Sequence, residues 1–428
     1  MTTRAIGFWT AVALVVGNII GSGVFLLPAS LAPYGGLAFG GWLISGAGAV
    51  MLALVFARLS RANPAAGGIY AYSRAAFGDL AGFLVGWGYW TSIWSGCAAL
   101  AVAFVGYAGA FVPSVAASPV AAAVVAIAAL WLVIGINIAG VREAGAVQVV
   151  TTVVKLVPLV VIGAAGLVWF TASNFAVPAG AASGGFAGTT STLFAIASLT
   201  LWALLGTESA TIPAAAVENP DRTIPRATVV GALIAVGVSV VSTAGVMGIL
   251  NHDTLSHTTA PFADAARQLF GDRAAGLVAV AAAISVLGAL NGWTLLQGQL
   301  PVAVASDGLF PKWFGRLSPR GTPDNATIAG GVLATLLILA NYSRNLVALF
   351  TFVIQLATLS TLVPYVFCSL AALMKPGGKV VPILAFLFAM AAIYGAGPDV
   401  VFWGFILLLG GLPIFAAMRM QKDSRSAE

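Results

Sequence analysis

The chain has 428 residues, 60% of them apolar and only 7% charged, with a formal charge of +6. A soluble protein carries roughly a quarter charged residues, so this one cannot cover a wetted surface; disordered, collagen-like and disulfide-stapled chains are excluded too. The composition is that of a polytopic membrane protein folded as one membrane domain. Both cysteines, Cys97 and Cys368, sit in apolar runs and report no redox compartment.

A bilayer-crossing helix needs about 20 apolar residues. Twelve stretches qualify in chain order, at roughly 9–31, 37–58, 80–111, 119–140, 146–170, 190–216, 227–250, 275–303, 326–342, 346–371, 380–395 and 399–418. The third and eighth are long, which predicts tilt or helical extensions; the ninth is short. Arg4 before the first apolar run mimics a signal peptide, but the run is too long for one and eleven more spans follow. It is read as an uncleaved first span. With the N-terminus inside, fifteen of the 19 basic residues fall on the cytoplasmic side, among them Arg58, Arg61, Arg74, Arg142, Arg222, Arg226, Lys375 and Lys379. Arg267, Arg273 and Arg344 fall outside, and Lys155 lies within span 5. This asymmetry predicts cytoplasmic termini and makes the positive charge a topology signal, not a nucleic-acid footprint. The longest outer segment, about 251–274, holds His252 and His257. In a wet loop the pair reads as solvated rather than metal-binding, and no cofactor is expected.

Span 1 contains Gly17-Asn18-Ile19-Ile20-Gly21-Ser22-Gly23. Three glycines, an Asn and a Ser at mid-bilayer weaken the helix, and unwound backbone is tolerated there only against a cavity or buried protein. Span 6 has a matching interruption at Leu201-Trp202-Ala203-Leu204-Leu205-Gly206-Thr207-Glu208-Ser209. Paired interruptions in corresponding halves point to a transporter's binding site. The halves are spans 1–5 and 6–10, inverted relative to each other, with spans 11 and 12 appended. Freed amides at a half-helix N-terminus suit a carboxylate and freed carbonyls an ammonium, so both ends of an α-amino acid find a partner. The alternative is that Gly21 and Gly23 only permit close helix packing.

Two ionisable groups remain inside the membrane, Lys155 and Glu208. Each costs about 2.5–3.5 kcal/mol at a helix centre and is a functional candidate by default. Lys155 lies about nine residues into span 5, hence ~13 Å deep. Desolvation penalises the charged form of both, making each a candidate for proton exchange; a silent ion pair between them is the bland alternative. Trp87, Tyr89, Trp90, Trp94, Trp202, Trp293 and Tyr365 cluster near the breaks. Trp87 and Trp403 read as packing or interface residues. Trp202 and Trp293 are mid-span, suited to gating or to cation–π contact with an ammonium.

These residues resemble the amino acid–polyamine–organocation transporters, and within them the bacterial arginine/agmatine antiporter with its lysine/cadaverine and putrescine relatives. The likeness runs almost end to end. It rests on Gly17 to Ala29, Pro64-Ala65-Ala66-Gly67-Gly68-Ile69-Tyr70-Ala71-Tyr72, Leu201 to Ala210, Gly292-Trp293-Thr294-Leu295-Leu296, Asp307-Gly308-Leu309-Phe310-Pro311 and Thr361-Leu362-Val363-Pro364-Tyr365. The resemblance implies an all-α integral membrane fold of twelve helices. It has two inverted five-helix repeats, about 9–170 and 190–371, with helices 1 and 6 broken, plus extra helices at about 380–418. It further implies alternating access, a bacterial inner-membrane location and often a homodimer. Carried over by position, Ser22 and Gly23 meet the substrate carboxylate, and main-chain carbonyls of Ile19, Trp202 and Leu205 its α-ammonium. Trp202 and Trp293 are inner and middle gates. Tyr89, Glu208 and Tyr365 match the outer gate, with Glu208 as proton-sensing group.

The chain departs from the arginine/agmatine pattern in the side-chain pocket. Cys97 and Ile93 stand where that antiporter has Asn and Cys; a Met position is Leu100 and a Ser position Ala357. Losing an amide partner costs a guanidinium about 1–3 kcal/mol. A more apolar pocket and a neutral or apolar amino acid are therefore expected, the alternative being a cationic amino acid or polyamine. Lys155 is the second departure. Proton-coupled amino acid permeases and L-amino-acid exchangers of the superfamily have a lysine there, standing in for the sodium ion of sodium-coupled cousins. By that analogy Lys155 reaches carbonyls near Gly17 to Ile20 and Ser285 of span 8, couples to protons with Glu208, and makes sodium unnecessary. The leading reading is a secondary amino-acid transporter, as exchanger or proton-coupled permease. A channel lacks its charge ring or filter repeat. An intramembrane enzyme lacks a nucleophile–His or metal-ligand constellation. A non-transporting amino-acid sensor would keep the same fold.

Overall fold

The computed structural model describes residues 5–426 except 66, 110, 113–114, 116–117, 178–184, 259, 341–345 and 396–397. Arg4 and Arg344 lie outside the described residues, as do the side chains of Ser22, Trp202 and 346–356. The chain is all-helical. In order the helices are α1 (Phe8–Ile19), α2 (Ser22–Leu31), α3 (Ala38–Ala62), α4 (Ile69–Phe77), α5 (Asp79–Gly109), α6 (Pro119–Ala139), α7 (Val141–Val168), α8 (Gly185–Trp202), α9 (Pro220–Ile249), α10 (His252–His257), α11 (Pro261–Phe270), α12 (Asp272–Ser306), α13 (Asp324–Ala340), α14 (Leu346–Met374), α15 (Val380–Gly395), α16 (Pro398–Leu409) and α17 (Leu412–Ser426). Among the described residues the β-type pairing is one bridge, Ile6 to Val217.

Among the described residues, seven helical stretches are long and apolar enough to cross a membrane: Phe8–Ala62, Asp79–Gly109, Pro119–Ala139, Val141–Val168, Pro220–Ile249, Asp272–Ser306 and Val401–Gln421. Shorter apolar helices run Gly188–Leu201, Asp324–Ala340, Ser360–Met374 and Val380–Tyr394. The pattern on α7 shows what surrounds them. Gln148, Thr151, Thr152 and Lys155 are buried, while Val150, Val153 and Val157 are exposed. Water would favour the reverse. Polar-in, apolar-out is the signature of a hydrocarbon surround.

The breaks fall where the sequence places them. α1 stops at Ile19 and α2 starts at Ser22, so the first interruption is only Ile20-Gly21. α8 stops at Trp202, and 203–217 is turn and short 3₁₀ helix instead of the expected continuation to 216. Expected span 12, 399–418, overlaps the apolar stretch Val401–Gln421, within which Gly410-Gly411 makes a turn between α16 and α17. α7 begins at Val141, five residues before the expected 146, which puts Lys155 halfway along the helix.

α5 packs against α12 and α14, while α9 packs against α1, α3 and α7. The last contact is glycine-mediated. A Cβ added at Gly166 of α7 would lie 2.2 Å from backbone atoms of Gly245 on α9, a collision with main chain that no rotamer relieves. Gly166→Val should cost about 1–3 kcal/mol through overpacking and lower the melting temperature of the detergent-purified protein; an unchanged melting curve would refute the close approach.

Candidate functional site

The first break exposes carbonyls inside the bundle, and Lys155 reaches them. Its Nζ donates to the Gly17 carbonyl at 2.9 Å and the Ile20 carbonyl at 2.7 Å. The side chain is fully buried. Among the described residues the ion pairs belong to Arg74 and Arg267, so Lys155 and Glu208 do not form the silent pair. Ser285 takes no part: its buried hydroxyl has no hydrogen-bond partner. A polar network supports the break from behind. Gln148 and Thr152 both donate to the Ala13 carbonyl, at 3.3 and 3.1 Å. Asn291 of α12 donates to Gln148 Oε1 at 3.2 Å and to the Ala144 carbonyl at 2.9 Å.

The second break turns at Gly206, whose φ of +112° disfavours any side chain. Ser209 Oγ donates back to the Gly206 carbonyl at 2.6 Å and accepts from Asn18 Nδ2 at 2.9 Å, joining the two breaks directly. The chain before α1 joins them again. Ile6 N–H donates to the Ala216 carbonyl and Glu218 N–H to the Ile6 carbonyl, each at 2.9 Å.

Between the breaks lies a small pocket of about 70 Å³. Of the residues expected from the resemblance, Ile19, Gly23, Leu100, Leu205, Trp293 and Ala357 line it. Ile93 and Cys97 do not, and here the expectation is corrected. Ser92, Gly96, Ala99 and Leu100 form one face of α5, spaced i, i+4, i+7 and i+8, and that face meets the pocket. Cys97 is turned away, with Sγ 3.9 Å from Thr294 Oγ1. Asn18, Gly21, Ala203 and Thr361 complete the lining. Asn18 Oδ1 is buried without a hydrogen-bond partner and packs against Gly292 of α12, which does not line the pocket. Trp293 Nε1 donates to the Asn18 carbonyl at 3.3 Å, placing the indole over the pocket wall. The N-terminus of α2 has no side-chain cap, which leaves its first amides for an anionic group.

Tyr89, Glu208 and Tyr365 do meet. Tyr365 donates to Glu208 Oε2 at 2.6 Å, Tyr89 donates to Oε1, and all three side chains are buried. The Tyr365 hydroxyl accepts from Gly206 N–H at 3.3 Å, and the Tyr89 ring lies 6.3 Å from that of Trp293. Their position along the bundle follows from the helix ends. Tyr89 is ten residues from the start of α5 and Tyr365 nine from the end of α14. Both helix ends lie with Arg58, which donates to the carbonyls of Lys375, Pro376 and Gly378. The triad therefore faces the arginine-rich end, which charge asymmetry reads as cytoplasmic.

That end is braced by two of the motifs quoted above. Tyr70 donates to Asp307 Oδ2 at 2.8 Å, and Arg74 pairs with Asp307 at 2.8 Å and Asp79 at 2.7 Å. Burial, then the hydrogen bond and charge of Asp307, push the Tyr70 hydroxyl pKa up, so it stays a donor.

Residues 6–418 match the family model of the amino acid permeases. The chain is 32% identical to the cadaverine/lysine antiporter of Escherichia coli (strain K12), over 100% of this chain and 98% of that protein. It is 34% identical to the putative arginine/ornithine antiporter of Bacillus subtilis (strain 168), over 87% and 84% of the two chains. To the putrescine transporter PotE of Escherichia coli (strain K12) it is 29% identical, over 94% and 93%.

Removing the Lys155 ammonium strands two buried carbonyls. Lys155→Met should destabilise the fold by about 1–3 kcal/mol, read as a lower melting temperature in detergent; a variant as stable as the parent would show that the ammonium does not hold the break.

Proposed function

The chain belongs to the amino acid permease family, and on that premise we propose that it is an antiporter exchanging a cationic amino acid for a diamine or a second cationic amino acid. The relatives' substrates favour this over the neutral amino acid first expected. The pocket offers a physical reason. The neutral expectation rested on the lost amide at Cys97, which does not line the pocket. What does line it suits an ammonium: the Trp293 face and the main chain of Ile19 and Leu205 at the two breaks. A neutral aliphatic side chain draws nothing from the quadrupole of the Trp293 face, whereas an ammonium is attracted to it. This observation carries the reading.

The roles follow from the parts. The uncapped amides at Ser22 and Gly23 take the carboxylate of the amino acid. Carbonyls of Ile19, Trp202 and Leu205 take the α-ammonium, and Trp293 covers the bound substrate. We place twelve spans in the membrane as two inverted five-helix repeats with two extra helices, both termini cytoplasmic. Two spans within Phe8–Ala62, the other six long stretches and the four shorter helices supply that number. In that orientation Tyr89, Glu208 and Tyr365 form the inner barrier. An ionised Glu208 holds both phenols; a neutral one accepts from them more weakly and loosens the barrier, which makes exchange pH-dependent.

Three measurements test the proposal. In proteoliposome counterflow, internal lysine, ornithine, cadaverine or putrescine should accelerate uptake of labelled lysine well beyond internal leucine; acceleration by leucine alone would overturn it. Glu208→Gln should flatten the pH profile of exchange, and a profile like the parent's would remove Glu208 from the proton step. Trp293→Ala should weaken binding by about 1–2 kcal/mol through lost aromatic and cation–π contact, roughly 5- to 30-fold in Kd; an unchanged Kd would rule out the covering role.

A further inference from the structure

A second concave site lies where α3 packs on α9, at the arginine-rich end of the bundle. Leu54, Ala57, Arg58 and Arg61 line it from α3; Pro225, Arg226, Val229 and Val230 are among those facing them from α9. The spacings i, i+3, i+4 and i+7 put the α3 set on one helix face. The groove holds about 600 Å³. Its depth is apolar, and Leu54 lies ~10 Å along the axis from Arg61. Its rim is cationic. The Arg58 guanidinium is fixed by three carbonyls of the 375–378 turn. Arg61 and Arg226 are exposed and, among the described residues, stand in no ion pair with a carboxylate.

An apolar trough ending in unneutralised guanidinium groups, at the end of two membrane-length helices, is complementary to one kind of molecule. We propose that this groove binds an anionic phospholipid of the leaflet at that end. The phosphate sits between Arg61 and Arg226, where guanidinium groups donate paired hydrogen bonds to its oxygens. One acyl chain runs along Leu54, Val229 and Val230. A free phosphate ion would use the rim and leave the trough empty, and a zwitterionic lipid would fill the trough without neutralising the rim; an anionic lipid does both. α9 also packs against α1, so a lipid wedged between α3 and α9 braces the helix that carries the first break.

The full-length protein in detergent is titrated with dioleoylphosphatidylglycerol, dioleoylphosphatidylcholine or inorganic phosphate. Bound lipid is counted by native mass spectrometry and stability by thermal melting. Phosphatidylglycerol should be retained about tenfold better than phosphatidylcholine and should raise the melting temperature. The double variant Arg61→Gln/Arg226→Gln should lose that preference. Val229→Trp, which fills the trough and leaves the rim intact, should lose lipid retention as well. Equal retention of the two lipids by the parent protein overturns the proposal without any variant. Protection by inorganic phosphate equal to that by phosphatidylglycerol would make it a simple anion site, and retention unaffected by Val229→Trp would make it diffuse surface attraction; either result rejects the lipid groove.

Discussion

The fold depends on an ammonium bonded to two main-chain carbonyls. A helix can be broken in mid-bilayer only if the freed polar groups find partners inside the protein. At the first break the partner is Lys155, donating to the Gly17 and Ile20 carbonyls on either side of the place where α1 lets go. The bond is charge-assisted and buried, and it fixes the relative position of α1 and α2. The cost of burying a lysine and the cost of stranding two carbonyls offset each other, and neither residue set is tolerable alone. From that fixed point the rest is positioned: Asn18 projects to Ser209, its carbonyl meets Trp293, and α2 begins with its amides uncapped.

The second break is closed by different chemistry. Among the described residues no cation serves it. Gly206 turns the chain, Ser209 and Thr211 hydroxyls bond back to local carbonyls, and Tyr365 accepts from the Gly206 amide while donating to Glu208. One break is thus held by a fixed positive group and the other ends at a carboxylate whose two phenol donors come from α5 and α14. The two are not redundant. Lys155 sits behind the pocket, bonded only to backbone. Glu208 shares two phenols with helices on the other side, so a change in its protonation is felt across α5, α14 and the second break together.

Much of this was legible in the sequence because unusual residues mark unusual backbone. Glycines with Asn and Ser at mid-span located the first break, Gly206 the second, and the lone intramembrane Lys155 and Glu208 both proved to be bonded at a break. What was not legible has a common cause. α5 is apolar on nearly every side, so its sequence carries no stripe to fix its rotation; a shift of one residue, about 100°, separates the expected Ile93 and Cys97 from the lining Ser92 and Gly96. Asn18 was visible in the motif but its bond to the second break was not, since its partner Ser209 lies 191 positions away. The side of the tyrosine gate depends on how far Tyr89 and Tyr365 lie from their helix ends. Motif matching ignores that distance.

The proposed exchange places a specific demand on this pocket. A cationic amino acid and a diamine share their ammonium groups and differ by a carboxylate. The amides of α2 can recognise only the first, so discrimination against neutral amino acids cannot reside there. It must reside in groups that both substrates use: the carbonyls of the broken helices and the Trp293 face. None of these is charged, and this suits an exchanger. A carboxylate in the pocket would bind the doubly charged diamine far more tightly than the amino acid and slow its release. Dipoles and an aromatic face hold both ligands at comparable strength, and the one available carboxylate, Glu208, is held away by two phenols to act on the barrier.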